Sequence, residues 1–202
     1  PGDACLVFAR DPDTGEVRPA AMPWGIAGPD GTPCLRLVVR REAITVRRFT
    51  RTRRALVPLA GYLARGPGRL RVAVRSVSDA GLAAAALLEE GFGGAAFAVV
   101  TTEAAEPLAA IGERMPLLIP ADLWPLWLAD RPLSPLDLAR LAVPLPAGVL
   151  VAAWMPAGSF RPAALSVRRQ LEDLVPGAEE LWPPHARRVR GSNARVAAHA
   201  LG

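Results

Sequence analysis

Short apolar runs broken by turn chemistry set the pattern of this chain. Cys5–Ala9 is apolar throughout, and the segment Asp11-Pro12-Asp13-Thr14-Gly15 follows it. Proline fixes φ, aspartate bonds its own backbone and glycine accepts a positive φ, so this segment is a predicted turn. Val17–Met22 reads as the returning strand and Leu35–Val39 as a third. Arg69–Val77 alternates charged and apolar residues with period two, the mark of a half-buried strand. That register puts Arg69, Arg71 and Arg75 on one face. Ala95–Val100 and Val149–Trp154 are further strands.

Helical signals are fewer. Asp79 is placed to cap a helix over Ala80–Glu90, a stretch rich in Ala and Leu. Trp124 and Trp127 lie on a helix-like segment. Ser134-Pro135-Leu136-Asp137 opens a short helix to Leu141, with proline in its first turn. Ala163–Val175 is amphipathic, its stripe being Leu165, Leu171, Leu174 and Val175. Many short strands with few helices predict a strand-rich α+β fold and a mostly antiparallel sheet.

The length, 202 residues, suits one domain with a substantial core. No apolar run approaches the ~20 residues that a membrane-spanning helix needs, so a soluble globular protein without membrane association is expected. Two cysteines, Cys5 and Cys34, are too few for a disulfide framework or a zinc site. Both lie in apolar runs, which predicts buried thiols and fits a cytoplasmic protein. His185 and His199 have no Cys or acid at ligand spacing, so no metal and no cofactor are expected.

Charge changes the picture. All 24 basic residues are arginine, and twelve of them fall between Arg36 and Arg75, where Glu42 is the only acid. Guanidinium forks phosphate and stacks on bases better than ammonium does, so such a block suits a polyanion. A solvated arginine face is the plainer alternative. The densest run is Arg47–Arg54, and Phe49 within it either stacks on a base or anchors the run to the core. The C-terminal stretch from Pro183 reads as a basic arm.

The stretch Thr101–Leu128 organises the rest. An apolar run feeds Thr101-Thr102; then Glu113-Arg114-Met115-Pro116 leads into the apolar Leu117–Ile119 and on to Trp124 and Trp127. Pro116 disfavours helix at Met115, so the backbone there is extended and Arg114 projects from the start of a strand.

These residues resemble the SRAP family, the SOS-response-associated peptidase-like proteins that process abasic sites. The family pattern is Thr-Thr-x-Ala, then Ile-His-x-Arg-Met-Pro, then Trp-x-x-Trp-Leu. Arg114, Met115, Pro116, Trp124, Trp127 and Leu128 match it, while Gly112 stands at the histidine. Arg53, Arg54, Leu56, Val57, Pro58 and Gly61 match a second signature, Arg-Arg-Cys-Leu-x-Pro-x-x-Gly-Phe-Tyr-Glu-Trp. Tyr62 replaces its phenylalanine, Ala64 its glutamate and Arg65 its tryptophan. Arg40 and Glu42 match Asn-Ala-Arg-x-Glu, with Val38 at the asparagine. Trp24-Gly25 resembles a Trp-Gly segment of the family, although a core tryptophan beside a bulge glycine explains it as well.

The resemblance implies a mostly antiparallel, β-barrel-like fold over residues 1–160; the C-terminal helix and basic tail over 161–202, read from the residues themselves, have no counterpart in it. It also implies a chemistry in which an N-terminal cysteine closes a thiazolidine on an abasic-site sugar in single-stranded DNA. Glutamate and histidine move protons there, and asparagine positions the site. Cys5 lies inside the chain, so its nitrogen is an amide and forms no imine. Val38, Ala64 and Gly112 carry no group that transfers a proton. The expected catalytic set is therefore empty. The expected function is binding of single-stranded or abasic-site DNA by a monomeric, cytoplasmic or nucleoid-associated pseudoenzyme. Its expected contacts are Arg40, Arg41, Arg53, Arg54, Arg65 and Arg114; for Arg40 and Arg114 the plainer alternative is an ion pair, for example with Glu42 or Glu113. Two alternatives stand beside it: an active crosslinking or peptidase-like enzyme whose nucleophile precedes Pro1, and a protein-interaction scaffold that binds no DNA.

Overall fold

A computed structural model describes residues 4–27, 36–44, 52–59, 61–66, 71–77, 82–91, 94–106, 108–146 and 148–155. The predicted helix at 163–175, the basic tail, Cys34, Phe49, Arg69, His185 and His199 lie outside them.

The chain opens with a hairpin. β1 (Ala4–Arg10) pairs antiparallel with β2 (Val17–Pro23). The predicted turn joins them: the Asp11 carboxylate accepts from the N–H groups of Asp13 and Thr14, at 2.9 Å each. Gly15 takes φ +70°, which a side chain would disfavour. β3 (Val38–Arg40) is followed by a 3₁₀ turn, Arg41–Ala43. Next come β4 (Arg53–Leu59), β5 (Gly61–Arg65), β6 (Arg71–Ser76), β7 (Leu82–Gly91), β8 (Gly94–Glu103), β9 (Arg114–Pro116) and β10 (Leu150–Met155). Two short helices precede β10, α1 (Trp124–Trp127) and α2 (Pro135–Leu141).

The larger sheet runs β2-β1-β4-β7-β8-β3, with β9 also on β8; the smaller runs β10-β6-β5. Pairing is antiparallel except between β3 and β8. The strand-rich α+β class holds, and barrel-like describes it only loosely, since among the described residues the sheets do not close. β2, at one end of the larger sheet, carries Pro19 and Pro23, which have no N–H to offer a further strand.

Three layers result, because the larger sheet is covered on both faces. Val7, Trp24, Val57, Ala84, Ala86 and Phe97 meet Tyr62, Val72 and Val74 of the smaller sheet in one core. Leu56, Ala83, Ala85, Leu87 and Val100 pack on the other face against Ile119, Trp127, Leu133 and Leu141. Trp24 is thus a core residue, stacked on Phe97 with ring centroids 6.2 Å apart.

The helix predicted over Ala80–Glu90 is instead the central strand β7. Leu82, Ala84, Ala86 and Leu88 enter one core and Ala83, Ala85 and Leu87 the other. A strand buried on both faces shows no polar alternation, so its sequence reads like a buried helix. Helix propensity is worth only tenths of a kcal/mol per residue, and burial on two faces outweighs it. By contrast α2 forms where expected. Ser134 Oγ accepts from Asp137 N at 3.1 Å and Asp137 Oδ2 accepts from Ser134 N at 2.9 Å, a reciprocal cap.

A fork in the larger sheet positions the site. β7 pairs with β8 only as far as Ala86↔Val99. Beyond it the two strands part, and the chain that leaves β9 enters between them at residues 117–119. Thr101 pairs with Pro116 on one flank, and Ala84 bridges Leu118 on the other. Leu117 N donates to Val100 O, and Ala85 N donates to Leu117 O, at 2.8 Å each. Among the described residues no helix is long and apolar enough to cross a membrane.

Candidate nucleic-acid interface

The fork delivers Arg114 to the edge where β3 runs beside β8. Arg40 lies opposite Thr101 in that parallel pairing, with its side chain exposed. The 3₁₀ turn then presents Arg41 and Glu42. Arg114 Nη2 donates to Thr101 O and to Glu42 Oε2, both at 2.8 Å. The other carboxylate oxygen, Glu42 Oε1, lies 3.9 Å from Arg41 Nε. One carboxylate therefore stands between two guanidiniums, and the Arg114 hydrogen bond holds the Glu42 carboxyl below its ordinary range. Arg41 Nε and Arg114 Nε are buried without a hydrogen-bond acceptor among the described residues.

A second basic group occupies the outer face of the smaller sheet. The register Arg65↔Arg71 and Gly61↔Arg75 sets these arginines on one face with Leu63, Ala73, Val151 and Ala153. Arg65, Arg71 and Arg75 are exposed. No acid stands in those rows, and like charges directly opposite across two strands repel. Residues 112–114 connect the two groups: a Cβ on Gly112 would sit 3.5 Å from Arg65 O, at the strand end that carries Ala64. The structure thus brings together Arg40, Arg41 and Arg114, and sets Gly112 against Ala64 and Arg65. Val38 is half-buried on β3, paired with Val99.

Arg53 and Arg54 part company. Arg53 is exposed, and its Nη2 donates to Arg10 O at 2.7 Å. Arg54 is buried. Its Nε donates to Trp127 O at 2.6 Å, and its Nη2 donates to Ala129 O and, at 2.8 Å, to Arg131 O. Sequence reasoning grouped it with the exposed run because charge density gives no face. In β4, however, Arg54 is followed at period two by Leu56, which enters the α-helical side of the sheet. That spacing was the available signal. The reasoning also missed Arg10, whose Nε donates to Leu128 O at 3.2 Å and braces the same segment.

Elsewhere, a small apolar cleft lined by Leu108, Met115, Leu117, Leu145 and Leu150 lies beside β8 and β9 and includes none of these arginines. Among the described residues no cluster of three His, Cys, Asp or Glu is arranged to hold a metal.

Solved structures share the fold. A Bacteroides thetaiotaomicron protein superposes with a TM-score of 0.62 at 17% identity, covering 77% of this chain and 75% of its own. A Bordetella bronchiseptica protein gives 0.61 at 20% identity, covering 77% and 85%. A phage-related protein of the same species gives 0.60 at 24% identity, covering 77% and 79%. No match emerges among curated proteins. The profile described as SOS response associated peptidase (SRAP) matches residues 1–156, and the chain belongs to the SRAP family.

Proposed function

We propose that this SRAP protein binds single-stranded or abasic-site DNA through arginines and has lost the covalent chemistry of its family. One observation carries the reading: Arg40, Arg41 and Arg114 converge at the sheet fork while Val38, Ala64 and Gly112 bring no proton-transfer group. Arginine pairs of this kind fork the phosphate backbone. Arg53 lies exposed at the start of β4, and Arg65, with Arg71 and Arg75, extends the positive surface across the smaller sheet. Arg54 is left to the fold.

The test is incubation with single-stranded DNA bearing one abasic site, followed by a denaturing gel and a parallel fluorescence titration over salt. No covalent band together with salt-sensitive binding, weakened by Arg40→Ala, supports the reading. A covalent band would mean an active enzyme and a rebuilt site. Absence of both band and binding would leave a protein-interaction scaffold.

A further inference from the structure

We infer that Glu42 is an internal competitor for phosphate: its carboxylate occupies the seat between Arg41 and Arg114 that a DNA phosphate takes on binding. The inference rests on the DNA-binding reading above and goes on to say how that site is kept closed.

The geometry is that of an anion in a guanidinium cleft. Glu42 turns one oxygen to each arginine, at 2.8 Å from Arg114 Nη2 and 3.9 Å from Arg41 Nε. A carboxylate has two oxygens and fills this seat incompletely. Among the described residues Arg41 Nε and Arg114 Nε are buried without acceptors beside it, and buried donors are rarely left so. A phosphate brings more oxygens and reaches both. Glu42 can also leave readily. Its side chain is 43% exposed against 20% for Arg114, and it sits on a single 3₁₀ turn rather than inside a strand. Partly solvated pairs of this sort are held weakly enough to exchange one anion for another. Arg114 is fixed independently, because Thr101 O accepts from the same nitrogen. When the carboxylate swings away, the guanidinium stays aimed at the vacated position.

Glu42→Gln keeps the shape and removes the charge. It is expected to bind a fluorescein-labelled oligo-dT strand about two- to fivefold tighter than the unaltered chain. Glu42→Asp keeps the charge but shortens the reach, and is expected to tighten binding as well. Glu16→Gln removes the same charge from the β1–β2 hairpin, at the opposite end of the larger sheet, and is expected to add little. In an Arg114→Gln background the Glu42→Gln gain should vanish, a coupling that net charge alone does not produce. Equal gains from Glu16→Gln and Glu42→Gln, or weaker binding by Glu42→Gln, would overturn the inference while leaving DNA binding intact. Thermal melts confirm that each variant is folded. No binding by any folded form would sink the DNA reading itself and the inference with it.

Discussion

Arg54 and Trp127 bind strand β4 and helix α1 to each other. Arg54 Nε donates to Trp127 O at 2.6 Å, and Trp127 Nε1 donates to Ala55 O at 2.8 Å. The exchange ties the end of α1 to the middle of the larger sheet. It also fixes the chain as it leaves α1, since Arg54 Nη2 reaches Ala129 O and Arg131 O. Removal of the guanidinium strands three carbonyl groups. Arg54→Ala is therefore expected to lose about 3 kcal/mol of stability, read as a lowered urea midpoint at unchanged slope. Arg54→Lys restores charge but offers no fork, and is expected to recover less than half of that loss.

Arg40 is the opposite case. Its side chain is exposed at the end of β3, and Arg40→Ala is expected to change stability by less than about 0.5 kcal/mol. DNA affinity is expected to fall, and the slope of log affinity against log salt to shrink by about 0.7, the value for one single-strand phosphate. Fluorescence anisotropy across a salt series checks both.

Tyr62 carries a hydroxyl that the fold does not use. The residue is buried and its Oη has no hydrogen-bond partner among the described residues; burial pushes the phenol above its ordinary range. Tyr62→Phe removes an unsatisfied polar atom without changing the ring, and is expected to stabilise by about 1 kcal/mol. Chemical denaturation measures it, and a destabilised variant would reveal a partner for the hydroxyl.

Acid weakens the fold through carboxylates held in their charged form, Asp137 and Glu42 among them. Arg131 and the cap of α2 hold the Asp137 carboxyl below its ordinary range, and Arg114 does the same to Glu42. Both folded values lie under the unfolded ones, so the stability these groups add is full above the ordinary carboxylate range. It is lost as pH falls through the folded values. The unfolding midpoint of Asp137→Asn is expected to fall less between neutral and acid pH than that of the unaltered chain.

Two glycines are expected to answer differently to a methyl group. A Cβ at Gly61 would meet Val74 O at 2.5 Å, a backbone atom that cannot give way. At Gly112 its nearest neighbour is Arg65 O at 3.5 Å, an ordinary contact. Gly61→Ala is expected to destabilise by about 2 kcal/mol or more, while Gly112→Ala is expected to be neutral or to gain a few tenths. Paired melting curves decide.

Much of this was legible in the sequence. The Asp11–Gly15 turn and the Ser134–Asp137 cap were readable because each is written in adjacent residues. The period-two pattern of β6 was readable because one face is wet: Arg71 and Arg75 alternate with Val72 and Val74. β7 was hidden by the opposite condition, a layer on each side. Arg54 was hidden because charge density along a chain carries no direction, and only the partner carbonyls of residues 127–131 reveal which way it faces. The Glu42–Arg114 contact joins residues far apart in sequence; the motifs bring both to notice, and the ion pair with Glu42 expected as the plainer alternative for Arg114 is the one that forms.

The fork has a consequence for how this domain changes over time. A strand gripped on both flanks cannot slip by one residue, since that would drive Arg114 inward and turn Met115 out. The lattice around Arg114 is anchored by Ala84, Val100 and Thr101, none of them a position of the family's chemistry. Residues 38, 64 and 112 can therefore drift without moving the arginine beside them. Under the proposed function, position and reactivity are inherited separately, and a lineage can discard the second while keeping the first.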